Sequence, residues 1–296
     1  MMKPMIINGK EVSEKIKEEL AEKTKELKER SGIVPGIAVL LVGSDPASTF
    51  YVKSKQKTAA RLGYHSILKD LPESASEEQV LSIVEEWNND PDIHGILVQS
   101  PLPDHIDENK VILNINPDKD VDGFHPINIG KLVIGLNGHV SCTPLGIVEL
   151  LKRYDIETKG KHVVVVGRSN IVGKPITNLM YQKSEYANSV VTICHSAAPD
   201  LSYFTKQADI LIVAIGRSNF ITADMVKDGV VVIDVGINRV DDDSDKGYHI
   251  TGDVDYKNVA PRCSAITSVP GGVGPMTIAM LMTNTFNSAN EKAKSL

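Results

Sequence analysis

The sequence predicts an α/β fold of two three-layer αβα domains with mainly parallel sheets. Its strand-like segments are nearly continuous apolar runs, the composition of strands covered on both faces. Helical segments separate them, which is the order that parallel crossovers impose. The third observation is length: 296 residues exceed one ordinary core and suit two domains of roughly 100–200 residues each.

Over 11–30, Val12, Ile16, Leu20 and Leu27 share one helical face. Glu11/Lys15, Glu19/Lys23 and Glu26/Arg30 are i,i+4 pairs in the favourable order, and Gly32 follows as a stop. The run 37–42 is a short apolar strand closed by Gly43. A helix over 46–62 ends at Gly63, a residue free to take the left-handed turn. Ser76 and Gln79 form a capping box for a helix running to about residue 89. Strand 96–99 stops at the rigid Pro101-Leu102-Pro103. Thr143 as cap and Pro144 at the first helical position open a helix to about residue 154. Strand 162–166 then runs into a glycine-bearing turn and a helix from about 172, with further strands at 190–194, 210–215 and 230–235. That succession is doubly wound, so the second domain is expected to be Rossmann-like. A helix over 277–287 closes the chain and is expected to pack back on the first domain, and the acidic run 241–243 reads as a solvated hairpin loop. The expected division is 1–145 plus 276–296 for one domain and 146–275 for the other.

Composition narrows the function. Hydrophobic residues at 42% and charged residues at 24% exclude general disorder. A net charge of -6 argues against a nucleic-acid coat but leaves room for a local basic pocket. Cys142, Cys194 and Cys263 are too far apart in sequence for a disulfide framework or a CxxC metal knuckle. The N-terminus lacks the apolar core of a signal peptide, and runs such as 163–166 and 230–233 are too short to cross a bilayer. The expectation is a cytoplasmic chain with no metal site and no membrane or nucleic-acid partner.

The stretch 163–175 (VVVVGRSNIVGKP) reads as a buried strand, a tight turn and a helix start. Gly167 supplies the turn, Gly173 lets the helix approach the sheet, and the helix N-terminus offers free N–H groups to a pyrophosphate. Ser169 occupies the middle glycine position of the G-x-G-x-x-G pattern, and taken alone such a turn can be only a tight connection. The next strand ends in His195-Ser196 with no acid to accept from ribose hydroxyls. Arg168 stands free to meet a ribose phosphate, so NADP is favoured over NAD.

In the first domain, Tyr51 and Lys55 lie one helical turn apart on one face. Their helix follows strand 37–42, so both fall near the carboxyl ends of the strands, where open α/β sheets bind ligands. Gln99 ends its strand and opens onto the same crevice. The loop 120–125 carries Asp120 and Asp122, and 270–275 (PGGVGP) is a rigid, side-chain-poor loop against which a flat ligand can lie. Each has a plainer reading: core for Tyr51, solvated face for Lys55, strand-end cap for Gln99, turn former for Asp122, linker for 270–275.

The segments 48–63 (STFYVKSKQKTAARLG), 95–103 (GILVQSPLP), 118–125 (DKDVDGFH), 142–146 (CTPLG), 166–175 (VGRSNIVGKP), 234–238 (DVGIN) and 269–277 (VPGGVGPMT) together resemble the bifunctional methylenetetrahydrofolate dehydrogenase/methenyltetrahydrofolate cyclohydrolase family. The resemblance runs in the family's order over essentially the whole chain. It implies a folate-binding catalytic domain and a Rossmann-like NADP-binding domain. It also implies tetrahydrofolate derivatives as substrates, one-carbon folate interconversion and a homodimer. By the same resemblance Tyr51 stacks on the folate ring system, Lys55 is the principal catalytic residue, Gln99 positions it, and Asp122 binds the polar edge of the pterin. Val98, Ser100 and Pro270, Gly271, Gly272 and Val273 line the folate site, and NADP contacts map to Gly167, Arg168, Ser169, Ser196 and Ile237, beside Gly173 of the glycine turn. Ser100, Ser141 and Ala198 depart from the residues usual at their positions.

The implied chemistry suits these residues. Hydride leaves a carbon between two nitrogens whose lone pairs stabilise the cation, so holding that carbon against the nicotinamide is the main task. Hydrolysis then needs a proton carrier, and Lys55 can serve only if its pKa is lowered, either as base toward water or as acid toward the ring nitrogen. The rival readings are an NADP-dependent dehydrogenase of another small substrate and a non-catalytic nucleotide sensor.

Overall fold

The computed structural model describes residues 3–244 and 247–295. Two compact units result. One comprises Lys15–Cys142 with the chain from Ile278 onward, the other the chain up to Glu14 with Thr143–Thr277. The chain opens with β1 (Met5–Ile7) and α1 (Gly9–Ser31).

In the first unit, β2 (Gly36–Val42), α2 (Pro46–Arg61), β3 (His65–Leu71), α3 (Glu77–Asn89) and β4 (Gly95–Val98) alternate, followed by α4 (Glu108–Asn114) and α5 (Pro126–Val133). The parallel sheet has the order β3-β2-β4. Central β2 is buried throughout, as its uninterrupted apolar sequence requires. β3 carried no apolar-run signal because it is an edge strand with no fully buried residue. Residues 119–121 run along the other side of β4: Ile96 N–H donates to Lys119 O at 2.7 Å, and Ile96 bridges Asp120 in parallel. The expected capping box opens α3, which buries Val80, Val84 and Trp87 against Leu40, Ile96, Val111 and Ile115. The short α4 and α5 were absent from the sequence expectation; side chains of Asp107 and His125 cap them.

The second unit contains α6 (Cys142–Arg153), β5 (His162–Val166), α7 (Gly173–Tyr181), β6 (Val190–Cys194), α8 (Leu201–Thr205), β7 (Ile210–Val213), β8 (Val230–Asp234), β9 (Asn238–Asp241), β10 (Tyr248–Thr251), α9 (Tyr256–Val259) and β11 (Cys263–Thr267). Here α6 begins at Cys142, one residue from the unit boundary. The six-stranded sheet is parallel, in the order β1-β11-β8-β7-β5-β6. The chain leaves β5 for β6 on one side and returns to place β7 on the other. That reversal creates the switch point where such sheets bind ligands. Val164, Val166, Leu211, Val213, Val232 and Ile266 are buried in its core.

Three expectations change. β1 pairs with β11, Met5 opposite Ala265, so residues up to Glu14 belong with the second unit rather than the first. A three-residue strand is too short to leave a readable period. Thr143 lies inside the first turn of α6 rather than capping it, and its Oγ1 is 3.0 Å from that of Thr277. The closing helix, α10 (Gly274–Lys294), is longer at both ends than the apolar pattern indicated. The acidic run does sit where β9 turns toward antiparallel β10, with Asp242 Oδ2 2.6 Å from His249 Nδ1.

Candidate active site

In the first unit, α2 starts where Asp45 accepts from Ser48 N–H at 2.7 Å, with Pro46 at the first helical position. That start sets the phase that places Tyr51 and half-buried Lys55 on one face, beyond the carboxyl end of β2. Gln99 follows β4 directly, held by its N–H to Leu40 O at 2.9 Å. Lys55 Nζ donates to Gln99 Oε1 at 2.9 Å, while Gln99 Nε2 donates to Ser100 O at 2.7 Å. The amide is therefore used at both ends, and the lysine receives a partner that carries no charge. Burial lowers the Lys55 pKa; the Asp122 carboxylate, and then Cys142, pull it back up.

The two acids of the 120–122 segment have different work. Buried Asp120 shapes the loop: Oδ2 accepts from His125 N–H at 2.8 Å and Asn128 Nδ2 at 2.9 Å, and Oδ1 from Phe124 N–H at 3.3 Å. Half-buried Asp122 faces the lysine. Its carboxyl is raised by loss of hydration, opposed chiefly by the Lys55 charge. The Cys142 thiol donates toward Asp122 Oδ1 at 3.7 Å and Val121 O at 3.4 Å, and burial holds that thiol well above its ordinary pKa. Asn284 of α10 closes the arrangement, donating to Val121 O at 2.8 Å and Val140 O at 3.0 Å.

Cys142 and Asn284 were not identified from sequence. A signal existed for Asn284, a polar residue among Met280, Leu281 and Met282 on a buried helix face. None existed for Cys142, whose role depends on a neighbour twenty residues away in sequence. Val98, Ser100, Leu102, Asp122 and Phe124 line a cavity beside Gln99, and Ser100 Oγ is hydrogen-bonded to the Glu108 carboxylate. Tyr51 is 45% exposed with Phe50 edge-on to it at 6.1 Å, so an aromatic face remains open to a flat ligand. The structure thus brings Tyr51, Lys55, Val98, Gln99, Ser100 and Asp122 into one unit. Pro270, Gly271, Gly272 and Val273 belong to the other. There their loop packs on the start of α1, Lys10 N–H donating to Gly271 O at 2.9 Å.

The second unit builds the turn after β5 around two glycines. A Cβ on Gly167 would lie 2.2 Å from Ala214 O, and one on Gly173 2.3 Å from Gly167 O. Neither position admits a side chain, and Gly167 has φ +130° besides. Ser169 explains its own departure from the glycine pattern. Its Oγ accepts from Val172 N–H at 3.1 Å and Gly173 N–H at 3.3 Å, and its carbonyl accepts from Lys174 N–H at 3.0 Å.

That corrects one expectation: the N–H groups opening α7 are already engaged, and Pro175 has none to offer. An incoming phosphate would meet the turn preceding the helix and the exposed Arg168, whose guanidinium has no hydrogen-bond or ion-pair partner among the described residues. Exposed Ser196 follows β6, where His195 Nδ1 accepts from Ala197 N–H at 3.3 Å. Ile237, 55% exposed, follows β8. A glycine cradle, an uncommitted guanidinium and no acid after β6 fit a phosphorylated dinucleotide.

Two family models match the chain in succession. Residues 7–122 match the family described as tetrahydrofolate dehydrogenase/cyclohydrolase, catalytic domain, and 141–293 match its NAD(P)-binding domain. A protein of Chlorobium limicola named bifunctional protein FolD is 59% identical over 295 residues, covering 99% of each chain. The crystal structure of the bifunctional FolD methylenetetrahydrofolate dehydrogenase/cyclohydrolase of Campylobacter jejuni has a TM-score of 0.92 at 48% identity, covering 97% of this chain and 99% of that one. The FolD of Trypanosoma brucei, complexed with NADP cofactor and inhibitor, has a TM-score of 0.92 at 36% identity and 99% coverage of both chains.

Proposed function

The chain belongs to the tetrahydrofolate dehydrogenase/cyclohydrolase family, and on that premise we propose that it performs two reactions on one folate. It is a bifunctional enzyme that oxidises 5,10-methylenetetrahydrofolate with NADP and hydrolyses the resulting methenyl compound to 10-formyltetrahydrofolate. NADP supplies the hydride acceptor when bound. Gly167, Arg168, Ser169, Gly173, Ser196 and Ile237 form its site, and the closed Gly167–Ala214 approach, with an Arg168 guanidinium that has no partner among the described residues, supports that reading.

The folate lies on the first unit, with Tyr51 offering a ring face, Val98 and Ser100 the wall, and Asp122 an acceptor for the polar ring edge. Pro270, Gly271, Gly272 and Val273, in the loop after β11, belong to the second unit. In the oxidation no side chain need remove a proton from carbon, because the flanking nitrogens stabilise the cation as hydride departs. These residues act by holding the folate in one pose. In the hydrolysis Lys55 Nζ is the proton carrier. The single observation that carries this is the 2.9 Å bond from Lys55 to Gln99, which directs the amine without adding a negative charge at that contact.

The reading extends to a homodimer in the cytoplasm. β6 ends the sheet with its outer edge unpaired among the described residues, and Val190 and Ile193 there are 63% and 40% exposed. Such an edge favours a covering partner. No described helix is long and apolar enough to cross a membrane.

Mixing the chain with methylenetetrahydrofolate and NADP tests the function itself: NADPH absorbance followed by the formyl product supports it, and no turnover refutes it. Lys55→Gln should reduce cyclohydrolase kcat by about 100-fold or more while NADP affinity is retained. Full hydrolysis by that variant would remove Lys55 from the mechanism. Arg168→Ala should weaken NADP at least about tenfold more than NAD in paired titrations; equal losses would show that Arg168 does not read the ribose phosphate. Sedimentation at micromolar concentration should return twice the chain mass, and a monomer mass would contradict the dimer.

A further inference from the structure

The loop after β7 forms the second lip of the switch point, since Ala214 O abuts Gly167. Residues 216–219 are exposed, yet their conformation is set from the interior. Asp253, between β10 and α9, is fully buried. Its Oδ2 accepts from Ile215 N–H at 2.7 Å and Gly216 N–H at 2.9 Å. Its Oδ1 accepts from Arg217 N–H at 2.9 Å and from Asn238 Nδ2 at 2.9 Å. Three of the donors are consecutive main-chain amides of one lip. The fourth comes from the residue that follows Ile237. A carboxylate, which only accepts, can take all four; an amide of the same shape cannot.

Asp253 is itself held. Its N–H donates to Asp234 Oδ1 at 3.0 Å, and Val254 N–H donates to Asp234 Oδ2 at 3.0 Å. Asp234 ends β8, accepts also from Gly236 N–H at 2.9 Å, and is pushed up to about 6 by burial against those three bonds. Two buried carboxylates in series therefore connect the end of β8 to the loops after β7 and β8. The sheet does not need this connection for its own ladder. A buried carboxylate that accepts from these amides fixes the shape of the exposed loop.

We propose that Asp253 is a positioning residue for the dinucleotide, holding the 215–217 main chain and Asn238 in the shape that receives NADP. The proposal rests on the reading that the second unit binds NADP. It assigns cofactor affinity to a residue that need not touch the cofactor.

Asp253→Asn keeps the side-chain shape but sets an NH2 group against two of the four donors. The variant should bind NADP about 10- to 100-fold more weakly by calorimetry. The loss should appear in the NADP KM, with dehydrogenase kcat at saturating NADP falling less than threefold. Dehydrogenase kcat/KM for NADP should fall at least tenfold relative to cyclohydrolase kcat/KM. A folded variant with unchanged NADP affinity overturns the proposal. Should the variant not fold, amide hydrogen exchange of the cofactor-free wild type decides: protection at Ile215, Gly216 and Arg217 comparable to β7 is expected, and exchange at free-loop rates overturns it. If the wild type binds no NADP, the functional reading fails, and the exchange experiment still reports separately on the Asp253 anchor.

Discussion

A lysine held by an uncharged amide is the constraint around which the first unit is arranged. Lys55 is withdrawn from water, which disfavours its charged form, and a carboxylate in place of Gln99 would restore that charge. The partner must therefore accept a hydrogen bond without ionising, and its free end must be locked so that it cannot flip. Gln99 meets both needs because its NH2 group is bound to Ser100 O and its N–H to β2. The acid that the site does contain, Asp122, is kept off that bond by a loop built on Asp120, Cys142 and Asn284. Lys55 thus feels a negative charge without being claimed by it.

The second unit solves a different problem with similar means. Its turn after β5 is set by backbone contacts too close for any side chain, and Ser169 uses its own hydroxyl and carbonyl to satisfy the start of α7. The conformation of the turn is thereby fixed before any ligand arrives, which lowers the ordering cost of binding. The opposite lip is fixed by Asp253. Acceptors buried beneath exposed loops are the recurring device in both units.

Legibility in the sequence followed local physics. Strands buried on both faces, such as β2 and β5, were readable because burial imposes composition, and the α3 cap was readable because it is confined to four residues. The edge strand β3 and the three-residue β1 were not, since one lacks burial and the other length. Tyr51 and Lys55 share a helix, so their spacing was visible, and Gln99 was legible as a strand end; that these residues and Asp122 form one site came from family resemblance, which spacing alone could not supply. Asn284 and Asp253 escaped altogether. Each acts on a segment distant in sequence, through hydrogen bonds to main-chain groups that leave no residue-type signature in their partners.

The central claim is that burial beside a neutral partner makes Lys55 a proton carrier. NMR titration of the labelled Lys55 side chain in the folded, ligand-free protein tests it most directly. The account predicts an apparent pKa below the ordinary lysine value of about 10.4. A Lys55 value at or above that range would mean that the Asp122 charge, not burial, governs the site, and would contradict the account.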